Sequence, residues 1–547
     1  MKKRSILTSL LAVTLGSVLV ANAADAQEEG GGDLIIADMS DLVSLDPHGN
    51  NDVPSSNVRA NIYDTLTILD ENMEVQPHLA VEWEETDENT YSFTLRDDVV
   101  FHDGTEFNAE VVRANLLRVT DENFASQRAF LYEMITDIEV VDDYTVEITT
   151  EYPFAPLLSH LAHDAGGMLS LDVITEDYNQ ALEGTDYDYE SYVEALVAGE
   201  EFDEDVVAAI GENIGEYAAQ NPIGTGPFVL ESRSPGDNTV LVRNDDYFDE
   251  PALLDSVTFK VVSETASRIA ELEGGYSHVI GAVDPISRDR VENHDETYLD
   301  ETESMSLSYV GFNVEAEYLD DPLVRQAISY AIDREAIIAG IYDGVGIEAI
   351  GPLAPAVFGY DENVEGITYD MDRAKELMAE AGYEDGFEIS LWTNDNPQRV
   401  DTAVFMQESL AELNIDVSIE QVEWGAYLER TADGEHDMFI LGWSVVTGDA
   451  DYGMYPLFHS EQVGAPGNRS FIQNDELDEL LEAGRQAIDP EERLEHYSAA
   501  QDLLVDLAPM VYIHHSNYLT GVRDEVQNFE IDALGIYQLK DVSISAE

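Results

Sequence analysis

The chain has 547 residues, with 114 acids against 25 lysines and arginines, a formal net charge of −89 at pH 7, no cysteine and an apolar fraction of 44%. That length exceeds what one hydrophobic core supports, so two or more lobes are expected, held by buried apolar surface without any disulfide. So much negative charge argues against nucleic acid or an anionic membrane surface as partner, and it is tolerable where concentrated salt shortens the screening length, which reads as adaptation to a saline medium.

Lys2, Lys3 and Arg4 precede an apolar run over residues 6–20, and A-x-A sites follow at 21–23 and 24–26. This is the pattern of a secretory signal peptide; the run is too short for a comfortable bilayer span. Cleavage after Ala26 would leave 521 residues with a net charge near −91, because the removed segment holds three cations and Asp25. With no cysteine to carry a lipid, the mature chain is expected to be exported, soluble and unanchored, in the periplasm or outside the cell. A flexible leader follows, QEEGGG at 27–32, with nothing apolar to bury.

Beyond it, short strands alternate with helical patterns. Residues 33–37 read as an apolar strand, 57–66 as a helix, 90–95 as an alternating strand, and 108–118 as an amphipathic helix after a turn at Asp103-Gly104. Residues 176–220 are strongly acidic and contain no Trp, Lys or Arg; they read as a solvated helical excursion on the periphery. Helices are expected over 321–342, 371–382 and 400–413, and strands over 388–392, 416–421 and 438–443. The mixed order implies α/β lobes.

Most reactive chemistries lack their residues. There is no G-x-S-x-G, H-E-x-x-H or P-loop, and no cysteine nucleophile. Gly224-Thr225-Gly226-Pro227 is followed by no helical pattern and reads as a tight turn, not a phosphate cradle. His160 and His163 at i, i+3 are more often structural than ligating, and His514-His515 in a strand point to opposite faces. Asp449 and Asp451 in LGWSVVTGDADYGMYPLFH fail as a calcium loop: Met454 stands at the turn-glycine position and Ser460 at the bidentate-acid position. They also lie too close together for a catalytic pair held across a cleft. Binding remains. Trp392, Trp424 and Trp443 lie at or near predicted strand ends, where α/β lobes meet ligands. Arg399, at a helix start in a cation-poor chain, suits a carboxylate.

Six blocks, in order, then carry a resemblance: SLDPH (44–48), FTLRDDVVFHDGTEFNAE (93–110), PIGTGPF (222–228), NDDYF (244–248), YVGFN with DPLVRQAISYAIDRE (309–335), and EWGAYLERTADGEHDMFILGW (423–443). Together they resemble the family 5 extracellular solute-binding proteins, the peptide and nickel receptors of ABC importers. The resemblance implies an α/β, two-lobed, periplasmic-binding-protein-like fold of type II with an extra subdomain in the first lobe. The first lobe would comprise 34–66, 222–307 and 512–547, the subdomain 67–221 and the second lobe 308–511. Closure around a ligand would present the protein to a membrane permease, with no reaction, no cofactor and a monomeric chain.

In dipeptide and oligopeptide receptors of this family an aspartate three residues after the G-W pair meets the peptide ammonium; that position here is Val446. The pattern W-S-x-x-T-G-[DE]-A-D at 443–451, with LAHDAGGMLS at 161–170, is instead similar to glutathione-type receptors. The ligand wall implied by the resemblance holds Asn51, Asp52, Trp392, Arg399, Trp443, Val446, Thr447, Asp449 and Tyr452. Glutathione or a small peptide is the expected ligand; a metal chelate such as nickel or haem is the alternative, and a secreted hydrolase the remote one.

Overall fold

The acid-rich sequence places carboxylates where helices need them. Asp52, Asp321, Asp333, Asp370, Asp449 and Asp489 each accept a hydrogen bond from a backbone N–H of the helix they precede. An acid there satisfies an otherwise unpaired donor and favours the positive end of the helix dipole. In the computed structural model, residues 31–545 are described except 51, 71–72 and 465–466. The expected signal peptide, most of the leader and Asn51 lie outside the described residues.

Among the described residues, two large sheets define the lobes. The first has seven strands in the order Thr297–Glu303, Asn517–Arg523, Val279–Ile280, Asp33–Asp38, Ser256–Val261, Asn238–Arg243 and Phe228–Ser234. Its central strand, 33–38, pairs in parallel with both neighbours, and Leu34 and Ile36 are fully buried. The second sheet runs Ile347–Glu348, Met510–His515, Ser306–Phe312, Met438–Ser444, Glu388–Thr393 and Asp416–Gln421. Strand 388–393 is parallel to both neighbours, an arrangement that needs covering on both faces; the helices Pro322–Tyr330, Met371–Ala381 and Pro397–Leu410 supply part of that cover. A four-stranded antiparallel sheet, with strands Ala80–Asp87, Thr90–Leu95, Thr145–Thr150 and Ile135–Asp142 in that order, builds a subdomain with its own core around Phe93, Phe107 and Ile148.

The chain passes from the first sheet to the second at 304–305 and returns at Ser516, so the second sheet takes in residues from 306 to 515. The two crossings lie side by side. Ser304 donates through its backbone N–H (3.1 Å) and its hydroxyl (2.7 Å) to the Ser516 carbonyl, and the Ser306 and Ser516 hydroxyls are 2.5 Å apart.

Three expectations need correction. The helix expected over 57–66 is Val53–Arg59, because Asp52 caps it and Pro54 sits in its first turn, where a missing N–H does no harm. Residues 321–342 form two helices, Pro322–Tyr330 and Arg334–Ile341, since Asp333 caps a new start. The acidic stretch 176–220 is no peripheral excursion. Its helices Leu171–Ala181, Tyr189–Val197, Glu204–Asn213 and Glu216–Gln220 send Tyr178, Tyr192, Ile210 and Ala218 into the first lobe's core. The Tyr178 and Tyr192 hydroxyls donate to Asp121, and Asp177 is ion-paired with buried Arg118.

Candidate binding site between the lobes

A cavity of about 680 Å³ opens against the first lobe, walled by the 53–65 segment, the 162–164 loop and the C-terminal 528–541 hairpin region, with Val446 contributed by the second lobe. Its polar wall carries both signs of charge. Arg59 donates through Nε (3.1 Å) and Nη2 to Asp164, whose carboxyl is pushed up by burial but ends well below the usual range because Arg59, His163 and Arg128 face it. Burial holds the His163 ring near pKa 3, so it is neutral at pH 7, and its Nδ1 accepts from the Ala165 N–H at 3.0 Å. Arg128 is 92% buried, and that burial pulls its pKa down despite the field of Asp164. Asp64, also on the wall, is met by His78 (2.9 Å), Thr225 (2.8 Å) and Tyr247 (3.1 Å), while Lys540 pairs with Asp249.

Asp532, at the tip of the C-terminal hairpin, accepts from the N–H groups of Leu534 and Ile536 (both 2.9 Å) and from Gln538 (3.0 Å), and burial pushes its pKa up to about 6. These groups can hold a zwitterion: guanidinium and ammonium donors for a carboxylate, carboxylate acceptors for an amine. A cavity of this volume matches small-molecule sites in general.

Glycines shape this wall. Gly224 and Gly226 approach the 61–62 backbone so closely that a Cβ at either would fall within 2.6 Å of the Ile62 carbonyl oxygen. The PIGTGPF block is therefore a tight packing turn beneath the cavity, and the Gly226 N–H donates to that oxygen at 2.9 Å. Gly448 has φ +68° and sits against Met73, so it permits the turn that aims Val446 at the cleft.

Of the residues expected from sequence, Val446 lines the cavity. The others are placed as follows. Asp52 caps helix 53–59 and takes the Ser55 hydroxyl at 2.8 Å. Trp392 is buried in the second lobe's core with the Arg430 guanidinium 4.3 Å from its ring centre. Arg399 donates to Asn394 at 3.3 Å and lies over Trp424. Trp443 donates to the Tyr452 carbonyl at 2.8 Å. Tyr452 stacks on Phe130 of the subdomain, with ring centres 5.5 Å apart, and so closes the cleft beside the cavity.

Thr447 and Asp449 are both buried, and the Asp449 carboxylate is engaged within the second lobe. Both Asp449 oxygens accept from Arg493 at 2.8 Å, and Oδ1 also accepts from the Asp451 N–H at the start of helix Ala450–Phe458. A buried carboxylate needs such a partner, and a short helix start needs such a cap. Sequence reasoning did not single out Arg59, Arg128 or Lys540, and it reached Asp164 only as part of the 161–170 block. Cations are scarce in this chain, but the burial that sets Arg59 and Arg128 apart shows only in the folded protein.

Two lobes joined by adjacent strand crossings, with a mixed-charge cavity where they meet, define a bilobal solute-binding protein. The chain belongs to the bacterial extracellular solute-binding proteins of family 5, the receptors of ABC importers: residues 74–465 match the family described as "Bacterial extracellular solute-binding proteins, family 5 Middle". It is 30% identical to the glutathione-binding protein GsiB of Escherichia coli, over 94% of this chain and 95% of that one. It is also 30% identical to the dipeptide-binding protein of Escherichia coli, over 86% of each. HbpA2 from Haemophilus parasuis has the same fold, with a TM-score of 0.82 at 26% identity, covering 94% of this chain and 100% of that one. Among the described residues no helix is long and apolar enough to cross a membrane.

Proposed function

We propose that the protein captures a small peptide-like zwitterion, glutathione foremost, outside the cytoplasmic membrane and delivers it to an ABC permease by closing its lobes. The observation that carries this reading is the cavity itself. It is of small-molecule size, its first-lobe wall offers both cationic and anionic groups, and the second lobe contributes an uncharged side chain, Val446, at the position where dipeptide receptors of the family carry an aspartate. An ordinary dipeptide loses its ammonium partner there. Glutathione begins with a γ-linked glutamate, which puts its ammonium elsewhere, where a first-lobe carboxylate such as Asp532 can meet it. The likeness to glutathione-binding proteins over nearly the full chain supports the same choice.

The role is capture, not catalysis, and the closed form is the signal. A ligand that contacts both lobes shifts the open–closed equilibrium by its differential affinity for the two forms. Melting the purified protein in molar salt with glutathione, dipeptides and tripeptides tests the reading. A ligand at 100 times its Kd adds about 2.7 kcal/mol, so glutathione should raise the melting temperature more than dialanine at equal concentration. No shift with any peptide would remove the proposal.

A further inference from the structure

Outside the cavity, beside the Tyr452–Phe130 stack, the subdomain and the second lobe also meet at an arginine. Arg485 sits in the last turn of helix Asp475–Gln486. Its Nε and Nη2 donate to the two oxygens of Asp451, each at 2.9 Å, and its guanidinium lies 3.5 Å from the centre of the Tyr455 ring. These partners belong to the second lobe, so they hold the side chain in place whether the cleft is open or shut. The remaining nitrogen, Nη1, donates to the Tyr152 hydroxyl of the subdomain at 2.9 Å. The guanidinium also lies 5.3 Å from the Phe154 ring centre, and the Ala155 N–H donates to the Arg485 carbonyl at 3.0 Å.

We propose that Arg485 is a ligand-independent closure latch, a positioning residue that Asp451 and Tyr455 pre-set and that engages Tyr152 and Phe154 only when the lobes close. Pre-setting matters because a long side chain fixed in advance loses little freedom on docking. A charged donor meeting a half-buried phenol beside aromatic rings is stronger than a fully exposed contact. The ligand-free protein therefore samples the closed form appreciably, and the latch contributes the same factor to the affinity of every ligand. Here it differs from the cavity wall, which ranks ligands. The inference rests on the receptor reading for its affinity consequence alone; the effect on lobe closure stands without a ligand.

The test uses the full mature chain in molar salt and two variants. Tyr152→Phe removes the hydroxyl and keeps the ring. Because Arg485 alone cannot be removed without stranding the buried Asp451, the second variant combines Arg485→Met with Asp451→Asn. Starting from roughly equal open and closed populations, a tenfold weaker closure raises the apparent Kd about fivefold. Tyr152→Phe should raise it by that factor for glutathione and for dialanine alike, leave the ligand-free melting temperature unchanged, and increase the ligand-free radius of gyration by small-angle scattering. The double variant should move both quantities further the same way, with ligand-saturated scattering equal to wild type. Factors that differ between the two ligands, or ligand-free scattering identical to wild type in both variants, would overturn the latch. If neither solute binds, the scattering comparison still decides it.

Discussion

At the scale of single residues, what matters at the mouth of the cleft is which carboxylates have cationic partners. Asp449 has Arg493 and Asp451 has Arg485, and both pairs are largely buried. Removing Arg493 leaves the Asp449 charge buried and alone, so Arg493→Ala should cost about 3–5 kcal/mol of stability, read from urea unfolding at constant salt. A cost near zero would mean that solvent reaches the pair. Val446 has the opposite character: it faces the cavity without charge. Val446→Asp places an acceptor in the second lobe's wall and should shift preference toward ordinary dipeptides, seen as a dialanine-to-glutathione affinity ratio raised about tenfold or more. An unchanged ratio would show that the ammonium is not held from this side. The sequence made Val446 legible because a short motif fixes its place relative to Trp443. It could not reveal the role of Asp449, whose partner lies 44 residues further on and comes near it only in the folded protein.

At the scale of elements, strands and capped helices were readable wherever apolar period and cap agreed. Helix Met371–Ala381, strand Asp416–Gln421 and strand Met438–Ser444 fall within a residue or so of expectation. The acidic run 176–220 was misread because its mean polarity hid the spacing of Tyr178, Tyr192, Val206 and Ile210, which is what docks it on the first lobe. Most of its acids face outward, with Asp177 buried against Arg118, while Tyr178 and Tyr192 face in. Tyr192 is fully buried and its hydroxyl donates to Asp121, so Tyr192→Ala should destabilise the protein by roughly 3–5 kcal/mol. A surface excursion would tolerate the change within about 0.5 kcal/mol. The cavity wall was legible in part. LAHDAGGMLS at 161–170 was singled out for its likeness to glutathione receptors, and its His163 and Asp164 line the cavity. Arg59 and Lys540 were not, because segments hundreds of residues apart build that wall together.

At the scale of the whole molecule, charge governs stability in two ways. A net charge of −89 repels itself, so the melting temperature should fall steadily as salt is lowered from molar to about 0.1 M, where the screening length grows from about 3 to 10 Å. A melting temperature independent of salt would contradict the reading of saline adaptation. The pH response runs through buried histidines. Burial lowers the pKa of His48 and His163 to about 3 and of His436, His514 and His515 to about 4. Between pH 6.5 and 4 the unfolded chain binds protons at these positions and the folded chain does not, so their contribution is full at pH 7 and is lost as pH falls. Asp38 and Asp532, raised to about 6 by burial, act the other way: they favour the fold below pH 4 and lose that advantage as pH rises through 6. The histidines outnumber them, and in constant molar salt the melting temperature should drop between pH 7 and pH 5; a rise would reverse the assignment.

The central claim is that this two-lobed chain closes on one small zwitterion, and calorimetric titration in molar salt tests it most directly. Glutathione should give saturable heat with one site per chain, a negative heat-capacity change from the surface buried on closing, and tighter binding than dialanine or trialanine. Flat titrations with all three, or dialanine binding more tightly than glutathione, would contradict it.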